Sequence, residues 1–503
     1  MHGMFAFSNT CSLLGTEAVP IGVEVHVERG LPRFTIVGMR DTESREARER
    51  IRCALLACGV ELPLNRVTVN LAPADLPKGG AAFDLPIAIA LLAAIGAVPV
   101  SAVATCGSYG ELSLEGRVRP VLGTLAAALA ASRAGWGTFF VASESAPRAA
   151  RTTSNVVPIS SLRQLIAHLS GDSPITPVTA HTSTGRQTRV LDLADVRGQD
   201  IAVDAMTIAA AGGHNVLLSG PPGCGKTMLA NRLPFLLPNM EPMEAVEVET
   251  IHDAAGLERA VPSERPFRAP HHTITQQALV GGGSGRPVVG ELSLAHHGVL
   301  FLDELPEFRP SAIDALRQPI EAREVTIRRA RWIARYPADA QLVAAMNLCR
   351  CGRTGAKSGA GCSCTAPSRE AYAKRVSGAI LDRFQVHVRL GAPDGAVHDL
   401  PAGTSSCDAL VRVQAARDRA AHRWKNHVCN AHVDVPASQF LLSDDAAQTL
   451  TSAVTMLGLG GRVQAAAVRV ARTIADLNGD REINRACVAQ ALGLAVHKAA
   501  DDA

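Results

Sequence analysis

The stretch NVLLSGPPGCGKTMLANRL, residues 215–233, constrains this 503-residue chain more than any other. An apolar run turns through glycines and prolines into a helical run, and the turn carries the complete pattern G-x-x-x-x-G-K-T from Gly220 to Thr227. In such a turn Gly220, Pro221, Pro222, Gly223, Cys224 and Gly225 form a loop whose backbone N–H groups converge on a phosphate, with Gly223 and Gly225 allowing the curl. The helix that follows adds the positive end of its dipole. Lys226 is placed to reach β- and γ-phosphates and Thr227 to ligate Mg²⁺. The pattern therefore predicts a nucleoside triphosphate as the bound ligand.

A second apolar run, GVLFLDELPEF at 298–308, ends in two carboxylates. At a strand terminus facing the phosphate loop, Asp303 is expected to hold the metal and Glu304 to orient or deprotonate the attacking water. LVAAMN at 342–347 offers Asn347 for the γ-phosphate or the lytic water. In AILDRFQVHV, Arg383 is either an ion-pair partner within the chain or a group projecting to a neighbouring subunit's nucleotide. Short, fully apolar runs of this kind predict parallel strands buried on both faces, hence a doubly wound α/β domain over 189–392.

Length alone implies about three domains. Residues 1–169 read as a separate α/β unit, with strands at 21–27 and 67–71 alternating with period two. Between them a helix carries Ile51, Leu55 and Leu56 and stops at Gly59. The apolar segment 85–104 is interrupted by Pro86, Gly96 and Pro99, and its continuous part is shorter than the ~20 residues a membrane span needs, so it reads as a core helix. Residues 170–188, rich in Ser, Thr and Pro, read as a linker, and 393–503 as Ala-rich helices. MHGMFAFSNT has no Lys or Arg ahead of an apolar run, which predicts a cytoplasmic protein without a secretory signal.

Four of the twelve cysteines, Cys349, Cys351, Cys362 and Cys364, crowd into residues 349–364. Their spacing can close a tetrahedral thiolate site, for which structural Zn²⁺ is the natural occupant. The pairs His271-His272 and His296-His297 are read as loop hydrogen-bonding residues near the nucleotide strand, since adjacent histidines diverge and make poor co-ligands. Fifty basic against 47 acidic residues leave a net charge of only +3, so any nucleic-acid surface must be local. VTIRRARWIARYPA at 325–338 is such a place: a hairpin concentrating Arg328, Arg329, Arg331 and Arg335 with Trp332. It reads as a phosphate-tracking element or, alternatively, as a solvated face paired to Glu321 and Glu324.

In the order GPPGCGKTMLA, PFRAPHHTIT, VGGGSGRPVVGELSLAHHGVLFLDELPEF, AAMN with its cysteines, SGAILDRF and RVARTIADL, these segments resemble the magnesium-chelatase-like AAA+ ATPases of the ComM/YifB type over nearly the whole chain. The resemblance implies a P-loop AAA+ core with an N-terminal Lon-protease-like (S5-like) α/β domain and a C-terminal helical lid. It implies a homo-oligomeric ring, a hexamer, with ATP between subunits. Asn347 becomes sensor 1, Arg383 the arginine finger acting in trans and Arg469 sensor 2, with Arg462 and Arg472 as rivals. VGMRDTESREARERIRCALLACG and NLAPADLPKGGAAFDLPIAIALL are similar to the Lon-like domain, but the serine position of its Pro77–Asp84 segment falls on Ala82. Without a hydroxyl, peptidase chemistry of that kind is not available. The implied function is ATP-driven branch migration on single-stranded or branched DNA, helicase-like, during natural transformation. The alternative is a remodeller of proteins or a chelatase-type metal-insertion motor. A nucleotide-dependent scaffold would lack the Walker glutamate, and Glu304 is present.

Overall fold

The apolar runs of the central region pair into one parallel sheet. In the computed structural model its order is Phe267–Arg268, Val299–Leu302, Gln341–Met346, Val216–Ser219, Val386–Arg389. The middle strand sits between the strand that feeds the phosphate loop (Val216↔Val343) and the strand that ends before Asp303 (Val299↔Gln341), all parallel. Val216–Leu218, Val299–Leu302 and Leu342–Ala345 are buried throughout, as strands covered on both faces must be. The structure describes residues 4–152, 155–179, 191–259, 261, 263–283, 287–329, 332–354, 361–392, 395–425, 429–432 and 439–495. Of the sequence-predicted linker, 170–188, residues 180–188 lie outside them.

The chain divides into two compact units, and the sheet belongs to the one formed by residues 187–244, 263–325 and 337–503. Its C-terminal helices are Ser406–Trp424, Asp444–Leu457, Gly461–Asn478 and Arg485–Ala495. Ala409, Val413, Val468 and Ile474 from these helices join Ala205, Met206 and Ala209 of helix Asp200–Gly212 in one continuous apolar core. Within that core runs a polar chain. Asn430 Nδ2 donates to Thr473 Oγ1 (3.1 Å) and to Asp476 Oδ2 (2.9 Å), and the buried Asp476 is also paired with Arg423 (2.5 Å) and Arg472 (3.0 Å).

The other unit comprises residues 1–186 together with 245–262 and 326–336. Its seven-stranded mixed sheet has the order Arg33–Val37, Arg66–Ala72, Glu17–Glu28, Met4–Leu14, Cys106–Tyr109, Thr138–Ala142, Val156–Ile159. The two alternating strands read from the sequence are direct antiparallel neighbours, Val23 facing Leu71. Helix Asp41–Ala57 buries Ile51 and Leu55 against this sheet's core, and Gly59 at φ +81° ends it. Leu56 departs from the expected apolar face: it is 56% exposed, because it lies about 100° around the helix from Leu55. Every residue of helix Asp84–Ala94 is buried, and no helix among the described residues is long and apolar enough to cross a membrane.

Two segments from the middle of the sequence complete this unit. On residues 245–262, Asp253 accepts from the backbone N–H of Leu125 (2.8 Å) and from Arg148 Nη1 (2.7 Å), while Glu249 pairs with Arg151. On residues 326–336, the backbone at Arg335 packs so closely on the turn at Gly15 that a Cβ there would lie 2.7 Å from the Arg335 carbonyl oxygen. The basic hairpin forms as strands Glu324–Arg329 and Trp332–Pro337, with Arg328 and Arg335 exposed. Arg331 and the side chains of Arg329 and Trp332 lie outside the described residues.

Candidate nucleotide-binding site

The phosphate loop leaves the sheet between two strands that brace it. Gly220 N–H donates to Met346 O (3.2 Å), and Leu390 N–H donates to Ser219 O (2.8 Å). A Cβ at Gly220 would meet the Leu390 carbonyl oxygen at 2.5 Å, so only glycine fits this close approach. Gly223 and Gly225 stand at φ +77° and +99°, the left-handed region that a Cβ disfavours. Helix Lys226–Ala230 starts from Gly225. The buried Lys226 ammonium lies in the loop, donating to Gly220 O (2.8 Å), Pro221 O (2.9 Å) and Asn347 Oδ1 (3.1 Å). Two motifs read separately from the sequence, the phosphate loop and the strand end at Asn347, thus meet around one ammonium.

The acidic pair completes the cluster. Thr227 Oγ1 donates to Asp303 Oδ2 (2.9 Å), and the backbone N–H of Glu304 donates to Asp303 Oδ1 (2.9 Å), so the hydroxyl and carboxylate suited to a divalent cation are already together. Glu304 takes φ +54°, which turns the chain sharply at the strand end. Its exposed carboxylate has a partner that the spacing arguments did not assign: His272 Nδ1 at 3.3 Å from Glu304 Oε2. The His272 ring is held by His271 (centroids 4.1 Å) and by the edge of Phe308 (6.4 Å). The PHH sequence was the available signal, but no spacing rule links it to Glu304.

Arg383 is buried and its guanidinium pairs within the chain, Nη2 at 2.6 Å from Glu321 Oε1. Of the two roles left open for Arg383, this is the ion pair within the chain. Its Nε is buried with no hydrogen-bond partner among the described residues. Among the three lid arginines, Arg472 is consumed structurally: it is buried, paired with Asp476, and donates to the carbonyls of Asp480 (2.6 Å) and Arg481 (2.9 Å). Arg462 is exposed and 4.0 Å from Asp382, and Arg469 is half-buried on the same helix.

The four cysteine sulfurs, Cys349, Cys351, Cys362 and Cys364, all lie within 4.8 Å of one another. Sγ separations are 3.3 Å for Cys349–Cys351 and 3.6 Å for Cys351–Cys362 and Cys349–Cys362. Four thiolates at about 2.3 Å from a tetrahedral Zn²⁺ stand slightly under about 4 Å apart, so the arrangement fits that ion. Burial favours the Cys349 thiol, but donation from Thr354 and from the neighbouring thiols outweighs it and brings the group down to about 6. Gly352, at φ +74°, lies against the phosphate loop: a Cβ there would be 2.8 Å from Pro222 Cγ.

In the N-terminal unit the Pro77–Asp84 segment is bound up in structure. Pro77 O accepts from Ser12 Oγ (2.5 Å), and Lys78 is buried with its ammonium on the carbonyls of Pro73 and Leu76, burial lowering its pKa. Ala82 is buried without a hydroxyl.

Family comparisons agree with this geometry. Models described as magnesium chelatase, subunit ChlI, match residues 192–396; subunit ChlI of Mg-chelatase, residues 23–145; and the ChlI C-terminal part, residues 403–495. The protein YifB of Salmonella typhimurium is 40% identical over 95% of this chain and 95% of its own. The competence protein ComM of Haemophilus influenzae is also 40% identical, over 95% of each chain. Lon protease 2 of Bacillus subtilis is 30% identical over 26% of this chain, and 25% of its own. With a phosphate loop, an acidic strand end and Asn347 on adjacent parallel strands, a partial Lon likeness and a helical C-terminus, the chain belongs to the magnesium-chelatase-like AAA+ ATPases of the ComM/YifB type.

Proposed function

We propose that this protein is an ATP-driven motor acting on DNA, a homohexameric ring that drives branch migration of single-stranded or branched DNA during natural transformation. The observation that carries the motor half is the convergence of Lys226, Thr227, Asp303 and Asn347 at the C-terminal edge of neighbouring strands, with Glu304 one residue further. Lys226 exchanges the loop carbonyls for β- and γ-phosphate oxygens. Thr227 and Asp303 would hold Mg²⁺, whose charge would offset that of the phosphate oxygens. Glu304 orients the attacking water and takes its proton, and Asn347 fixes the γ-phosphate. Arg383, released from Glu321, acts on the nucleotide of the neighbouring subunit, and Arg469 is the lid contact, since Arg472 is already engaged. The four cysteines hold structural Zn²⁺.

The DNA half is supported by the competence name of one relative and by Arg328 and Arg335, exposed on a hairpin of a nearly neutral protein. The test is steady-state ATP hydrolysis with and without single-stranded or forked DNA, using Glu304→Gln as control. Turnover should rise with DNA and weaken with salt; turnover and binding indifferent to DNA across salt would instead favour a chelatase-type motor, the reading the matched family descriptions suggest.

A further inference from the structure

The cysteine cluster adjoins the nucleotide site along the chain at Asn347 and touches it in space at Gly352. Cys349 follows Asn347 by two residues, and Asn347 Oδ1 accepts from the Lys226 ammonium. Gly352, one residue past Cys351, packs on Pro222 inside the phosphate loop, and its left-handed backbone admits no side chain there without a clash. At the far end, Cys364 precedes Thr365, whose hydroxyl caps helix Ala366–Ala373 by accepting from Ser368 N–H (3.4 Å). That helix buries Tyr372 and leads to Arg375, which is 3.1 Å from Glu307, just past the acidic strand end. Residues 352–361, GRTGAKSGAG, contain four glycines and no large apolar side chain, so the segment has little apolar surface of its own to bury. The Cys₄ cluster joins the two ends of this segment, and the turn from Cys349 to Gly352 is closed as well by Gly352 N–H donating to Cys349 O (3.0 Å).

We propose that a thiophilic divalent cation held by Cys349, Cys351, Cys362 and Cys364 is a clamp on the phosphate loop, so that ATP binding depends on the metal. This rests on reading the four cysteines as a zinc site. With the cation in place, Cys349 fixes the end of the strand carrying Asn347, and the Cys351 side holds Gly352 against Pro222. Without it, Gly352 keeps only its turn bond to Cys349 O, the backing of Pro222 loosens and the phosphate loop must be ordered when nucleotide arrives.

The experiment uses the full chain. Zinc per chain is measured by elemental analysis, and Co²⁺ replacement is followed by its thiolate charge-transfer bands. Affinity for a fluorescent ATP analogue is then titrated with Mg²⁺ on metal-loaded protein, on protein stripped with a Zn²⁺-selective chelator, and on Cys362→Ser and Gly352→Ala. The expected result is one zinc per chain and an affinity loss of about ten- to a hundredfold on stripping or in Cys362→Ser. Gly352→Ala should keep its zinc yet lose affinity, which separates the contact with Pro222 from the metal itself and remains informative where Cys362→Ser does not fold. Stripped protein and Gly352→Ala binding nucleotide as tightly as the loaded wild type would overturn the clamp while leaving the zinc site standing. Absence of bound zinc and of cobalt bands would remove the zinc reading on which it rests.

Discussion

Glu304 takes a left-handed backbone and meets the imidazole of His272 at 3.3 Å, so two constraints aim one carboxylate. A base that must take a proton from water works only when aimed, and a misplaced carboxylate costs turnover more than affinity. His272 is therefore a positioning residue in our reading. His272→Ala is expected to lower kcat for ATP by about tenfold with KM nearly unchanged, whereas a merely structural histidine would move both or neither. The placement of Lys226 and Thr227 could be anticipated because a phosphate loop is a local arrangement in which spacing along the chain is spacing in space, and that of Asp303 because an apolar strand ends at it. His272 could not, since its pairing with Glu304 exists only once two strands lie side by side, and neither could the engagement of Arg472 by Asp476 and two carbonyls. The cysteine cluster stands between these cases: the spacing announced it, and the contact of Gly352 with Pro222 did not.

At the scale of elements, the buried helix Asp84–Ala94 begins with a carboxylate that is fully shielded from solvent. Arg50 from helix Asp41–Ala57 meets it through two bonds, Nε to Oδ2 at 2.6 Å and Nη2 to Oδ1 at 3.1 Å, and Leu112 N–H adds a third at 3.3 Å. Arg50→Met would leave that charge unpaired, and the expected loss is about 3–5 kcal/mol of unfolding free energy, measured by denaturant titration. The lid offers a pH test. Thr473 gives its proton to Arg469 O (3.0 Å) and so accepts from His214 Nε2 (2.8 Å), which leaves the buried Nδ1 of His214 as a bare lone pair without a partner among the described residues. Burial first, then the charges of His432 and Arg469, hold His214 down at about 3, and burial holds His432 at about 4. The unfolded chain takes up these protons near pH 6.5 while the folded one does not. The contribution of these two groups is therefore fully present above about pH 6.5 and is lost progressively as pH falls towards 3, by about 1.4 kcal/mol per pH unit for His214 alone. Thermal melts of wild type and His214→Gln between pH 7 and 5 should show a shallower acid slope in the variant. The alternation that exposed strands 21–27 and 67–71 says nothing of this network, because polar residues in helices read as solvated until the partner helix is in place.

At the scale of the whole molecule, the sequence suggests domains laid end to end, and the chain does not keep to that order. Residues 245–262 and 326–336 are components of the N-terminal unit, although they lie beyond the phosphate loop in sequence. Composition and periodicity cannot reveal this, since the bonds from Asp253 to Leu125 and Arg148 are long-range and each side looks like ordinary surface charge. A fragment of residues 1–186 would leave Arg148 and Arg151 without Asp253 and Glu249. It is expected to melt several degrees below the same fragment supplied with a peptide of residues 245–262, and equal melting with and without peptide would show those ion pairs to be dispensable. The borrowed acids also bear on inheritance. Exchanging the first 186 residues between two members of this family would separate each arginine from the acid it pairs with and Gly15 from the backbone at Arg335, so a working chimera is expected to need three pieces of gene, and substitutions at Arg148 and Asp253 should travel as pairs through the lineage.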